Sequence, residues 1–195
     1  MQSKLNKILT RLAANQELLS HSLKTAHLCW EAIQLLPRGF IQMTPGEMYL
    51  AGLLHDLGKT SWPEEFFWKP KDKLSKLELG RMNQHPIEGS IMAMKMLPDL
   101  SDEVYYIIAT HHERPDGTGY PAGLKELTNE TLLLATCDVF CACTEPRQYR
   151  KGNLATNDTL KIIEKFAPAE IIEAIINSQN KAGRVVNMNK ITKKF

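Results

Sequence analysis

Apolar residues recur along this chain at steps of three and four. Leu5, Ile8, Leu9, Leu12, Leu18 and Leu19 form one such series, and Leu23, Ala26, His27, Trp30, Ile33 and Leu36 another. A helix of 3.6 residues per turn brings every third and fourth side chain to one face, so both series read as α-helix. Pro37-Arg38-Gly39 stops the second series. Thr44-Pro45-Gly46-Glu47 starts the next helix, with Thr44 as N-cap, Pro45 at the first position and Glu47 completing a capping box. That helix runs through Tyr49, Leu50, Leu53 and Leu54 to His55, and Gly58 provides a break.

Residues 60–74 hold Pro63, Pro70, aromatics and lysines, which predicts an irregular loop. Ser75 and Glu78 cap a short helix to Gln84, Pro86 opens another that ends near Pro98, and Ser101 caps one that reaches His112. Three glycines and two prolines make 113–124 a loop. Thr128 to Thr144 reads as a buried helix, Arg147 to Asn153 as a polar turn, and Asn157 to Phe166 and Pro168 to Gln179 as two last helices. No two-residue alternation, internal repeat or linker is visible, so the expected fold class is all-α.

Composition changes this picture little. The 195 residues suit one domain over 1–180, with a basic tail over 181–195. A net charge of +2 makes no global electrostatic case for a nucleic-acid polymer or a membrane surface. The apolar stretch from Leu132 to Cys143 is interrupted by Asp138 and is too short to span a bilayer. The amphipathic start, broken by charges, is unlike a signal peptide. Three of the four cysteines (Cys29, Cys137, Cys141, Cys143) share one apolar segment, which is no disulfide framework. The expected compartment is reducing and cytoplasmic.

The candidate chemistry lies in six histidines and a few acids. His55-Asp56 and His111-His112 are adjacent pairs, and Asp138 is an acid inside an apolar helix. A buried carboxylate is costly unless a charge pairs with it, and a metal ion is the simplest partner. Glu17 and His21 lie four apart on one face of the first helix, and Asp56 and Lys59 lie three apart. Imidazole and carboxylate ligands without thiolates suit iron, manganese, cobalt, nickel or zinc. Two such ions about 3.5–4 Å apart could activate a bridging hydroxide and polarise phosphoryl oxygens.

The run His55-Asp56-Leu57-Gly58-Lys59, then His85-Pro86, then His111-His112-Glu113-Arg114-Pro115-Asp116-Gly117-Thr118-Gly119-Tyr120-Pro121 resembles the HD-GYP family, a branch of the HD phosphohydrolase superfamily. The resemblance covers residues 15 to 175. It implies a compact helical bundle of the HD-domain type with a metal centre in its core. It also implies a cyclic di-GMP phosphodiesterase that yields linear pGpG, and in some members GMP. Two or three divalent ions are implied, iron or manganese. Matched residue by residue, His21, His55, Asp56, His85, His111, His112 and Asp138 are metal ligands, with Asp56 at the bridging position. Glu17 matches the carboxylate that holds a third ion. Lys59 matches the lysine beside the scissile phosphate, so Asp56 and Lys59 are the catalytic pair. Arg147 and Arg150 match residues that hold the ligand's phosphates or guanine edge. Tyr120 and Pro121 shape the site in a loop that can meet partners, a diguanylate cyclase (GGDEF) protein among them.

The chain departs from the family where D-x-x-D-A reads Asp138-Val139-Phe140-Cys141-Ala142. Cys141 replaces a ligand-contacting acid and is expected on the metal-facing side, which bears on affinity for the cyclic dinucleotide and not on the metals. His27, six residues past His21, reads as structural, and Met92, Met94 and Met96 as core filling. Trp62, Phe66, Phe67 and Trp68 read as a lid with stacking surfaces or as a cluster pinning their loop. Two rivals stand beside the phosphodiesterase: a catalytically weak receptor that binds its dinucleotide uncut, and a hydrolase of another nucleotide.

Overall fold

The structure, a computed structural model, describes residues 2–67, 69, 73–144, 152 and 154–183. Among them the chain forms α1 (Gln2–Ala13), α2 (Gln16–Ile33), α3 (Pro45–Leu54), α4 (Lys76–Met82), α5 (His85–Met96), α6 (Asp102–Thr110), α7 (Asn129–Thr144), α8 (Thr156–Ile163) and α9 (Ala169–Lys181). Two 3-10 turns, Leu57–Ser61 and Glu64–Phe67, follow α3, and no strand forms among the described residues. The all-α expectation holds.

The helix starts follow the sequence. Thr44 and Ser75 each accept a hydrogen bond from the backbone N–H three residues on, and Glu47 and Glu78 reach back to complete both capping boxes. Thr128 accepts from Thr131 N at 3.2 Å at the head of α7. Such caps are worth roughly 1 kcal/mol each.

Three expectations need correction. The first leucine series is two helices, because the chain turns at Asn15, whose side chain accepts from Leu18 N at 3.0 Å and starts α2. Glu17 and His21 therefore sit on α2. The leucine spacing continues on both sides of the turn, so periodicity alone hides it. Ser101 occupies the N-cap of α6 without a capping bond, and its hydroxyl instead donates to Glu47 Oε1 at 2.8 Å, tying α6 to α3. Residues 57–67, partly expected as loop, are tightened by Thr60 and Ser61, whose hydroxyls donate to the carbonyls three residues back.

Long α2 packs on α1, α3, α7 and α9, while α5 packs on α6 and on the 57–61 turn. Leu54, Ile107, Leu133 and Ile171 are fully buried between these layers. Each such side chain contributes about 1.5–3 kcal/mol. Cys29, Cys137 and Cys141 are buried free thiols, small apolar filling as expected. Met92 and Met96 pack against the core, but Met94 is 49% exposed.

Two glycines set how close the layers come. A Cβ on Gly58 would lie 2.2 Å from the His85 carbonyl oxygen and 2.8 Å from Gly89 N. Gly58 is thus a contact that lets the 57–61 turn lie against the head of α5, beyond the break the sequence suggests. A Cβ on Gly52 would lie 2.7 Å from Ala26 Cα, so α3 and α2 touch backbone to backbone. These two approaches bring His55 and Asp56 to His85 on one side and to His21 on the other.

Candidate metal centre

The functional side chains come mostly from helix ends. His55 and His111 stand at the C-caps of α3 and α6, His85 is the first residue of α5, and Asp56 and His112 each follow one of these ends. His21 and Asp138 project from within α2 and α7. His21, His55, Asp56, His85, His111 and Asp138 are all 6% exposed or less.

Three of the rings are held in one way. His55 Nδ1 donates to Gly52 O, His85 Nδ1 to Met82 O and His111 Nδ1 to Ile108 O, each at 2.7 Å. A carbonyl can only accept, so each Nδ1 carries a proton and each ring turns its Nε2 inward. Those Nε2 atoms and Asp56 Oδ1 are buried without a hydrogen-bond partner among the described residues. Leaving one such group unsatisfied costs about 1–3 kcal/mol, which four together would not sustain without a ligand.

The spacing suits ions. His85 Nε2 lies 3.3 Å from Asp56 Oδ1, His55 Nε2 3.4 Å from Asp56 Oδ2 and 3.6 Å from Asp138 Oδ1, and His112 Nδ1 3.9 Å from Asp138 Oδ2. Ligands that each stand about 2.1 Å from one ion sit roughly 3–4 Å apart. Three groups have donor atoms within 4.8 Å of one another: Asp56 with His85, His111 and His112; His21 with His55 and Asp56; and His55 with His111 and Asp138. Asp56 belongs to two groups through its two oxygens, the placement a bridging carboxylate needs. Glu17 lines the same cavity but joins none of the three.

Charge is concentrated here. Burial opposes the charged form of His55, but the Asp56 and Asp138 carboxylates outweigh it and raise the ring to about 10. Burial would raise both carboxyls; His55 and Lys59 beside Asp56, and His21 and His55 beside Asp138, hold them well below the usual range. Burial lowers His85, His111 and His112, so these rings are neutral. The proton on His55 takes a place that a cation would fill.

A cavity of about 260 Å³ opens over the cluster. Lys59 lines it and donates to Asp56 Oδ2 at 2.7 Å. Tyr120 lies over His112, with ring centres 4.6 Å apart, and burial keeps its phenol protonated. Trp62, Phe66 and Phe67 line the other side, with Trp62 edge-on to His85 at 5.5 Å. Pro121 follows Tyr120 through a cis peptide and does not line the cavity.

Cys141 does not stand on the metal-facing side. It packs in the apolar core, and Ala142, one residue on, lines the cavity in its place. A step of four from Asp138 keeps a helix face better than a step of three here. His27 lies on the surface, 3.2 Å from Glu31. Trp68, Arg147 and Arg150 lie outside the described residues.

Glu113 is the positioning residue that sequence reasoning passed over. It is fully buried, and its carboxylate accepts from Ala122 N at 2.7 Å and Leu124 N at 2.9 Å. It folds the 113–124 loop back, and Tyr120 N donates to His112 O at 3.2 Å within that fold. A charged residue directly after the His111-His112 pair was the available signal.

The chain matches the HD domain family over residues 10–172. It is 42% identical over 108 residues to a cyclic di-GMP phosphodiesterase of Pseudomonas aeruginosa, covering 54% of this chain and 26% of that protein. It is 35% identical over 153 residues to the 3'3'-cGAMP-specific phosphodiesterase 1 of Vibrio cholerae, covering 77% and 34%. Against a cyclic di-GMP phosphodiesterase of Thermotoga maritima the figures are 28% over 191 residues, 94% and 51%. The chain thus spans from about a quarter to about half the length of these relatives. In fold it is similar to an HDG"Y"P protein from Bdellovibrio bacteriovorus, with a TM-score of 0.61 at 22% identity, covering 88% of this chain and 60% of that one. The HD domain of the L. monocytogenes phosphodiesterase PgpH, solved in complex with cyclic-di-AMP, gives 0.60 at 16% identity, covering 94% and 89%.

Proposed function

Because this chain belongs to the HD domain family, we propose that it is a metal-dependent phosphodiesterase that hydrolyses cyclic di-GMP to linear pGpG, with GMP the further product that some similar proteins reach. One observation carries the reading: three histidines with Nδ1 tied to main-chain carbonyls present bare Nε2 atoms around Asp56, which two donor groups share. His21, His55, Asp56, His85, His111, His112 and Asp138 would hold two ions, iron or manganese, and Glu17 on the cavity wall would serve a third. Bound ions supply Lewis acidity and an activated water.

The chain's own residues do the rest. Lys59 stands at the cavity beside Asp56 and neutralises a non-bridging phosphoryl oxygen as charge develops. Tyr120, held neutral by burial, offers a phenol O–H to the diester. Trp62, Phe66 and Phe67 exclude water and give flat apolar faces to a base. Arg147 and Arg150 stay with the resemblance as ligand-holding residues, and so does a diguanylate cyclase partner at the 113–124 loop.

The test is elemental analysis of anaerobically purified protein with product identification from cyclic di-GMP. About two or more ions per chain and release of pGpG are expected. Metal-loaded protein that returns cyclic di-GMP uncut but bound would leave only the receptor reading. Asp56→Asn should lose metal and turnover together, and full turnover by that variant would sink the scheme.

A further inference from the structure

The cavity over the metal cluster is small for its proposed ligand. At about 260 Å³ it falls below the roughly 300–1,000 Å³ that enclose ordinary small-molecule ligands, and ions must share it. A cyclic dinucleotide carries two nucleosides and two phosphates, so this cavity does not enclose it whole. A second cavity, of about 440 Å³, adjoins the first at the α1–α2 corner. Glu17, Leu18, Lys59, Trp62 and Phe67 line both cavities and form their common wall.

The lining of the second cavity is that of a base site. Trp62 and Phe67 offer aromatic faces, on which a nucleobase stacks whatever its identity. Trp62 Nε1 is a buried donor without an acceptor among the described residues. Arg11, in the last turn of α1, also lines the cavity. Asn15 also lines the cavity, but its side-chain oxygen is taken by Leu18 N. Gln16 Nε2 is turned to Ala13 O, Lys59 Nζ to Asp56 Oδ2 and the Thr60 hydroxyl to Leu57 O, so among the lining residues Arg11 is the one that can offer a planar fork of donors. Guanine presents two acceptors, O6 and N7, to such a fork, whereas adenine presents one acceptor and an amino donor that opposes it.

We propose that this side cavity seats the second nucleobase of a cyclic dinucleotide, and that Arg11 selects guanine there over adenine. The inference rests on the dinucleotide reading above and adds to it a residue outside the metal centre. It stands in α1, and the turn at Asn15 separates it from His21 on α2.

The experiment is calorimetric titration of manganese-loaded protein with the bis-phosphorothioate analogues of cyclic di-GMP and cyclic di-AMP, which resist cleavage. The expected result is a guanine preference in the unaltered protein. Arg11→Ala should weaken the guanine analogue about tenfold, with a much smaller change for the adenine analogue. Arg11→Gln should shift the ratio toward adenine, because a glutamine amide pairs with N6 and N7 of that base. Ala14→Trp, which fills the side cavity from the exposed corner, should weaken both analogues while GMP still binds. Arg11 variants with full metal content and an unaltered guanine-to-adenine ratio would overturn the assignment and leave the dinucleotide reading standing. An Ala14→Trp variant that binds both analogues as before would overturn it too. An unaltered protein that binds neither analogue would bring down both readings at once.

Discussion

The floor and the rim of the metal cavity are built in opposite ways. The floor is α2, α3, α5, α6 and α7, whose buried leucines and isoleucines hold the helix ends that carry most of the histidines and Asp56 in place. The rim is the 62–67 segment and α4, and α4 buries none of its own side chains. What holds α4 is a capping box, the Lys69–Glu78 ion pair at 2.7 Å and the edge of the cavity itself. An ion pair this exposed contributes about 0–1 kcal/mol, and a cap about 1. The floor is therefore fixed before any ligand arrives, while the rim is poised to open at little cost. Metal binding needs the first property, and entry of the proposed dinucleotide needs the second.

The contrast can be broken at the floor first. Asp138→Ala removes the acid that faces His21 and His55, and should lower turnover by a factor of about 100 or more with loss of bound metal, read by elemental analysis beside kinetics. Gly58→Ala puts a methyl group into the backbone of His85 and Gly89. It should cost about 1–3 kcal/mol of stability in a denaturant titration and also weaken metal binding. A Gly58→Ala protein with full metal content would show that the 57–61 turn can shift without moving His85.

Acidity should act on the floor alone. Metal must displace the proton that Asp56 and Asp138 hold on His55, whose value is raised to about 10, while His111 and His112 are already neutral and yield none. Affinity for manganese should thus rise with pH throughout the neutral range, by up to tenfold per unit for each proton released. Calorimetry in buffers of different ionisation enthalpy would count those protons, and a count of zero would contradict the pairing described. At the rim, Ser75→Ala should have the smallest effect, about 1 kcal/mol of stability confined to α4. Local hydrogen exchange there should quicken while metal content stays the same.

Much of the floor and part of the rim are legible in the amino-acid sequence. Leucine and isoleucine spacing marks the helices, and Thr44-Pro45-Gly46-Glu47 and Ser75 with Glu78 mark two starts that the structure shows bond for bond. The break at Asn15 is not legible, because apolar periodicity continues across a turn whose only sign is a short polar side chain. Ser101 looks like a cap because its residue type suits one, but Glu47 competes for its hydroxyl from another helix.

By itself the sequence determined the helical class and the ligand types, since both depend on local periodicity and on the chemistry of single residues. Only the tertiary structure decided which donors meet. Asp56 and Asp138 are far apart along the chain yet both stand within 3.6 Å of His55 Nε2. That meeting depends on the backbone contacts of Gly52 and Gly58 with other helices. The same geometry turns Cys141 into the core and puts Ala142 at the cavity. It also sets Arg11 and Trp62 on the walls of one cavity and gives the buried Glu113 its task. Each of these is a matter of which face a helix turns to its neighbours, and packing sets that face where local spacing leaves it open.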